Sequence, residues 1–341
     1  MRGILSFSYN QILVFHKYNK PICNDHKFTH FVFKYLTHIF GTYLTRKPLK
    51  QTTHFRHVID LNLAMILMST SGSLGRYIAL PPPVTIWWRC LLAAIFLYIF
   101  CRWKKINLSI NLAHDGFSII TAAALLGGHW VTYFYALHLS NVAIGMLSLF
   151  TYPVFTAFLE PILLKSKFNF WHIGLGALAL VGIYLLAPDF DMENSYVQGI
   201  LFGLVSSLLY ALRNILLKKK VARYQGSTLM FYQLLIAMVL FVPVLFLYDS
   251  SGITEQWPAV ITLALVTTAI GHTMFIMGLK HFSVSTASII SSSQPIYGII
   301  IGMIFLHEIP QWNTIIGGAL ILTTVVIESI RSYSSSARNT S

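Results

Sequence analysis

A chain of 341 residues that is 55% hydrophobic and only 10% charged falls far below the roughly 25% charged content of soluble domains, so its composition is that of a membrane protein. The formal net charge of +13 does not describe a nucleic-acid surface, because the cations fall between apolar blocks and form no single stripe. Cys23, Cys90 and Cys101 give neither a metal-binding spacing nor an even-numbered disulfide framework.

Residues 1–58 come first and are rich in His, Lys, Phe and Tyr, with no run long and charge-free enough to span a bilayer. They read as a basic, poorly ordered extension in which "FTHFVFKYLTHIFGTYL" could lie on the membrane surface as an amphipathic helix. Ten apolar blocks follow, near 59–79, 84–101, 116–137, 141–164, 171–187, 197–217, 227–248, 257–279, 284–306 and 312–328. Each approaches the roughly 20 residues that a helix needs to cross about 30 Å of hydrocarbon, and each is too long and continuous for a barrel strand. The expected fold is an all-α membrane bundle of ten helices.

Loop charges orient it. The loops after spans 2, 4, 6 and 8 hold Arg102, Lys104, Lys105, Lys165, Lys167, Lys218, Lys219, Lys220, Arg223 and Lys280, and the polar tail over 329–341 adds Arg331 and Arg338. The alternate loops, "LPPP", "HLSN", "PDFDMENS", "DSSGITEQ" and "HEIPQ", contain no lysine or arginine. Cations favour the cytoplasmic side, so both termini are expected there.

The second half repeats the first. An offset of 143 aligns Gly128 and His129 with Gly271 and His272, and His138 with His281; an offset of 142 aligns Pro153 with Pro295 and "GALAL" with "GALIL"; an offset of 137 aligns Ser69 with Ser206 and Arg76 with Arg213. Spans 1–5 (59–187) and 6–10 (197–328) therefore form two repeats. Five spans is an odd number, so the second repeat enters the membrane from the opposite side, a plan in which cargo binds near the midplane between the halves.

The stretches "LMSTSGSLGRYIALPPPVTIWWRCLLAAIFLYIF", "TYPVFTAFLEPILL" and "SQPIYGIIIGMIFLHEIPQWNTIIGGALIL", together with the 5+5 layout over residues 59–328, resemble the EamA family of the drug/metabolite transporter superfamily. The resemblance implies alternating-access export or exchange of a metabolite through a cavity lined by spans 1, 3, 4, 6, 8 and 9, in a plasma membrane of the bacterial inner-membrane type. Family members carry an arginine where span 2 opens, matched by Arg89, and a glutamate at the end of spans 4 and 9. Glu308 matches the second glutamate, whereas the first-half position falls near Lys165 and Ser166.

Several polar residues inside the spans suit a cavity wall. His129 and Tyr133 share a face of span 3, and His272 is the repeat mate of His129; intramembrane ionisable groups are functional candidates by default. Ser69, Ser73 and Arg76 share a face of span 1, and Ser206, Tyr210 and Arg213 the matching face of span 6. Tyr152 and Gln294 each precede a proline that frees a backbone carbonyl, and "SIISSSQP", with Ser292, is the most polar mid-membrane run. The alternative for each is helix packing, snorkelling or a structural kink. By depth, Glu308 with Arg76 and Arg89 is expected to form an outer charge cluster, and Glu160 with Arg213 an inner one, each closing a gate.

No GxxxxGK[ST] phosphate loop, HExxH motif, paired aspartates or serine elbow is present, which argues against ATP drive and against a lipid-modifying enzyme. A receptor or scaffold would not explain the inverted halves. The expected function is secondary transport of small polar or amphipathic metabolites such as amino acids, without a cofactor or a resident metal. A proton and a counter-substrate are both open as coupling partners. Small-residue faces on spans 5 and 10 offer a surface for a homodimer.

Overall fold

The computed structural model describes residues 53–164, 170–186, 191, 193–218, 220–221, 223–278 and 290–339. Most of the N-terminal extension, with its amphipathic patch, lies outside them, as do His281 and the start of span 9. Every regular element among the described residues is a helix. In chain order these are α1 (Thr53–Tyr77), α2 (Pro82–Trp103), α3 (Leu112–Leu139), α4 (Val142–Leu149), α5 (Tyr152–Leu164), α6 (Trp171–Leu186), α7 (Ser195–Leu217), α8 (Gly226–Leu240), α9 (Val244–Leu247), α10 (Ile253–Thr262), α11 (Leu263–His272), α12 (Thr273–Gly278), α13 (Gln294–Phe305) and α14 (Trp312–Asn339).

These elements combine into spans. Seven helical stretches are long and apolar enough to cross a membrane, the fourth uniting α4 with α5, the sixth α8 with α9 and the seventh α10 to α12. Shorter apolar helices at Ile173–Leu186, Gln294–Phe305 and Trp312–Ile327 take the places of spans 5, 9 and 10. The protein is an all-α, multi-pass membrane protein built as two five-helix repeats. Phe117 and Phe246, within spans 3 and 7 and each more than 80% exposed, are the kind of apolar outer surface expected when the solvent is itself apolar.

The helix starts are written locally. Asn111, Asn141 and Asn194 each accept a hydrogen bond from a backbone N–H of the following turn, at His114, Ile144 and Tyr196 respectively, which satisfies donors that have no partner within the helix. Pro82 and Pro83 open α2, where the missing N–H costs nothing. Two boundaries differ most from the hydropathy reading. Helix α1 begins at Thr53 rather than near 59, and α14 runs to Asn339 because the polar tail contains no glycine or proline to stop it.

Spans 5 and 10 pack on each other. A Cβ on Gly182 would sit 2.8 Å from the Gly317 carbonyl oxygen, and one on Gly317 would sit 2.6 Å from that of Gly182, so only glycine allows these backbones their approach. Gly317, in the small-residue stretch of span 10 that suggested a homodimer, is thus used within the chain, whereas a Cβ on Gly174 of span 5 meets nothing within 4 Å. Ile144, Leu147, Ile183, Leu186, Ile200 and Ile321 join α4, α6, α7 and α14 into an apolar core beside this contact.

Candidate functional site

Helix α3 has 28 residues, about 42 Å at 1.5 Å per residue, and crosses the whole bundle. His129 lies in its middle, Asp115 near its start and His138 near its end. Around His129 lies a small cavity lined by Met68, Ser71, Trp130, Tyr133, Tyr152, Tyr210, His272, Ser291 and Gln294, among others, with no carboxylate among them. Both repeat-related histidines and both pre-proline residues face this one space. The cavity volume is about 30 Å³, room for two or three waters on a scale where one takes roughly 10–15 Å³. A metabolite enters only if helices move.

The two histidines are held differently. His129 Nδ1 lies 2.7 Å from Ser206 Oγ and 3.2 Å from the Ser206 carbonyl oxygen, while Ser206 Oγ donates to the His129 carbonyl at 2.8 Å. A carbonyl can only accept, so Nδ1 carries the proton in this arrangement. The ring stacks on Tyr210 at 4.6 Å. His272 ends α11 and packs edge-on against Trp130 at 5.4 Å, with its buried Nδ1 unpartnered.

Helix α11 is wound as a π-helix, an irregularity that concentrates at functional sites. Its Thr267 and Thr268 hydroxyls donate to the Leu263 carbonyl at 2.7 and 3.2 Å and accept from Arg89. Arg89 Nε donates to Thr268 at 2.6 Å, Nη2 to Thr267 at 3.1 Å and Nη1 to Ser71 at 3.5 Å, while the guanidinium lies 4.1 Å over the Trp130 ring. This corrects the expectation that Arg89 joins Glu308. Helix α2 starts at Pro82, which carries Arg89 two turns into the bundle, to complete burial. The threonine pair gives no sequence signal, because nothing in the periodicity marks a π-turn.

At the end of α3 that carries His138, Arg76 Nε donates to Glu308 Oε1 at 3.1 Å and Nη1 to the His138 carbonyl at 2.8 Å, and the Val142 N–H donates to Glu308 Oε2 at 2.8 Å. His307 turns the chain after α13 with φ 54°, a left-handed conformation uncommon outside glycine, and brings the glutamate back to α1 and α4. His138 Nε2 lies 2.8 Å from the Gly75 carbonyl. One carboxylate thus bridges spans 1, 4 and 9.

At the opposite end, Glu160 pairs with Lys218, not with Arg213. Arg213 instead donates from Nε to Gln233 at 2.9 Å and from Nη1 to Asn214 at 3.0 Å. Lys218, just past the end of α7, has the shallower position and reaches the glutamate, while a neighbouring amide on α8 holds the arginine inside. The larger cluster at this end is absent from the sequence reading: the fully buried Asp115 carboxylate binds Lys220, accepts from the Tyr224 hydroxyl at 2.6 Å, and lies 2.9 Å from His114 Nδ1 and 3.4 Å from Arg223 Nη1. The single acid in the cation-bearing loop between spans 2 and 3 is the one signal the sequence offers.

Ser69 and Ser73 are buried but absent from the cavity wall: Ser69 Oγ donates to the Ile66 carbonyl at 2.7 Å, and Ser73 Oγ has no partner. Ser292 is buried as well, and Ser291 takes the lining position. Ser148 and Thr151 flank the break between α4 and α5, where the Thr151 hydroxyl donates to the Ser148 carbonyl at 2.8 Å.

A multi-pass helical bundle with a small cavity lined by residues of both repeats, bridged by charges at both ends, is the architecture of a membrane transporter. The chain belongs to the EamA-like transporter family, whose model matches residues 58–187 and 197–330, within the drug/metabolite transporter superfamily. It is 28% identical over 196 residues to an uncharacterized transporter of Archaeoglobus fulgidus, covering 58% of this chain and 70% of that one. It is 19% identical to the pseudopaline exporter of Pseudomonas aeruginosa (72% of this chain, 86% of the relative) and 22% identical to the biotin transporter of Escherichia coli (62% and 73%). A solved crystal structure superposes with a TM-score of 0.59 at 17% identity, covering 82% of this chain and 98% of that one, which shows the shared fold.

Proposed function

We propose that this protein is a secondary transporter that exports or exchanges small polar or amphipathic metabolites, amino acids and their relatives first among them, by alternating access through the cavity around His129 and His272. The observation that carries this reading is the pairing of a cavity between the repeats with a charge closure at each end of the bundle. His129, Tyr133, Tyr152, Tyr210, His272, Ser291 and Gln294 are its cargo contacts. Arg76 with Glu308 forms the outer latch, and Asp115 with Lys220 and Tyr224, beside Glu160 with Lys218, forms the inner one. Both ion-pair clusters are made in this conformation, and the cavity has space for only a few waters. Rocking one repeat against the other opens one latch at a time.

Purified protein in liposomes preloaded with amino acids or biotin tests the reading. Counterflow of the labelled compound is the expected result, and no flux across a broad metabolite panel would overturn it.

On this reading, which the cation-free loops support, the outer latch lies outside the cell and both termini lie in the cytoplasm. With the three native cysteines replaced, a cysteine introduced at exposed Asp191 is expected to react with an impermeant maleimide added outside intact cells. Labelling from the cytoplasmic side alone would reverse the topology.

A further inference from the structure

Arg89 is fully buried and Arg213 is 1% exposed, yet their hydrogen-bond partners among the described residues are Thr267, Thr268 and Ser71 for the first and Gln233 and Asn214 for the second. All are neutral. A guanidinium cannot shed its proton, so among the described residues both charges are held by neutral hydrogen-bond partners, without a carboxylate. Hydroxyls, amides and ring faces compensate only part of the lost hydration.

Each arginine lies behind residues that line the cavity. Ser71, a lining residue, is the most distant of the three partners of Arg89 at 3.5 Å, and Trp130, also lining, stacks under the guanidinium. Arg213 lies 5.9 Å from the ring of lining Tyr210, and its Nη2 is buried without a partner. Histidines complete the two clusters: Arg89 with Trp130 and His272, Arg213 with Tyr210 and His129. Each takes its arginine and aromatic from one repeat and its histidine from the other. No carboxylate lines the wall among the described residues.

We propose that the cargo carries an anionic group, a carboxylate or an equivalent oxyanion, whose charge offsets these two arginines when it enters the cavity. This rests on the transport reading and adds the chemical class. Positive walls raise the local concentration of anions and reject cations of the same shape, and hydrogen bonds to charged groups are worth about 1.5–3 kcal/mol, or on the order of 10- to 100-fold in affinity.

The test is a thermal shift of the unmodified full chain in detergent with matched acids and amides: leucine and leucinamide, biotin and biotinamide, phenylacetate and phenylacetamide. A ligand that binds the folded state raises its melting temperature. The expected result is that at least one acid does so at a concentration about tenfold or more below that needed for its amide. Arg89→Gln should narrow that gap and Arg89→Lys should preserve part of it. Because the acid and amide are compared on the unmodified protein, the result stands even if a variant fails to fold. Equal shifts by acid and amide, or a preference for the amide, overturn the anion proposal while leaving transport standing. Absence of a shift from every acid also overturns it, and the counterflow assay then decides separately whether the protein transports at all.

Discussion

Glu308→Gln is expected to lower transport about tenfold in proteoliposomes while most of the protein still folds, and Arg76→Gln is expected to do the same. The carboxylate receives one charged donor and one backbone donor from two other spans. Such bonds are worth about 1.5–3 kcal/mol, and the side chains of Arg76 and Glu308 are 31% and 23% exposed, which places this pair near the lower end. Some 1.4 kcal/mol is tenfold in an equilibrium constant, so loss of the latch shifts the balance between the outward-closed and outward-open forms by about that factor. The double variant is expected to be no worse than the poorer single, because both remove the same contact. Arg89→Gln lies outside the pair and should combine with Glu308→Gln additively, within about 0.3–0.5 kcal/mol. Simple additivity between Arg76 and Glu308, normalised for folded protein, would sink the latch.

The largest loss of folded protein is expected from Gly203→Leu. Helix α7 carries Gly199 and Gly203 one turn apart, and α3 and α4 pack directly on that stripe. A Cβ on Gly203 would lie 2.4 Å from the Ser148 Cβ, and one on Gly199 would lie 2.9 Å from the Ser140 Cβ. Carbon atoms prefer about 3.5–4.0 Å, and a Cβ cannot swing aside, so the helices themselves must part. Overpacked cores lose about 1–3 kcal/mol, occasionally more, and a whole leucine at this contact belongs at or above the top of that range. The separation also pulls Ser206, one turn further along α7, away from His129. Gly174→Leu is the control, because a Cβ there meets nothing within 4 Å on the exposed side of α6. Size-exclusion profiles of fluorescently tagged variants should show a monodisperse peak for Gly174→Leu and little or none for Gly203→Leu. Matching peaks would mean that the stripe does not set the helix spacing.

The depth of each charge is legible in the sequence, but its partner is not. Hydropathy and loop charge fix how far along a span a residue sits to within about a turn. That places Glu308 and Arg76 at the same end, and on that axis Arg89 looks like a third member. Two turns of helix and the facing threonines of α11 separate it from them. Glu160 and Arg213 match by the same reasoning, and again a cation one turn shallower, Lys218, takes the glutamate. Asp115 stays silent because a single acid in a cation-rich loop breaks no pattern until the chain folds Lys220 and Tyr224 onto it.

The sequence by itself determined the solvent, the number and order of the spans, and the internal repeat, because these follow from apolar run length, loop charge and self-similarity along one dimension. It also marked His129 with His272 as a residue written twice, and Tyr152 with Gln294 as matching positions before a repeated proline. Only the tertiary structure decided which of them share a cavity, that spans 5 and 10 use their glycines on each other, and that Arg76 rather than Arg89 meets Glu308. The physical reason is rotation about the helix axis. A lipid-embedded helix is apolar nearly all round, so its sequence says little about which side faces a neighbour. That angle is set by glycine contacts, a proline break and a π-turn, each of which acts only once two helices touch.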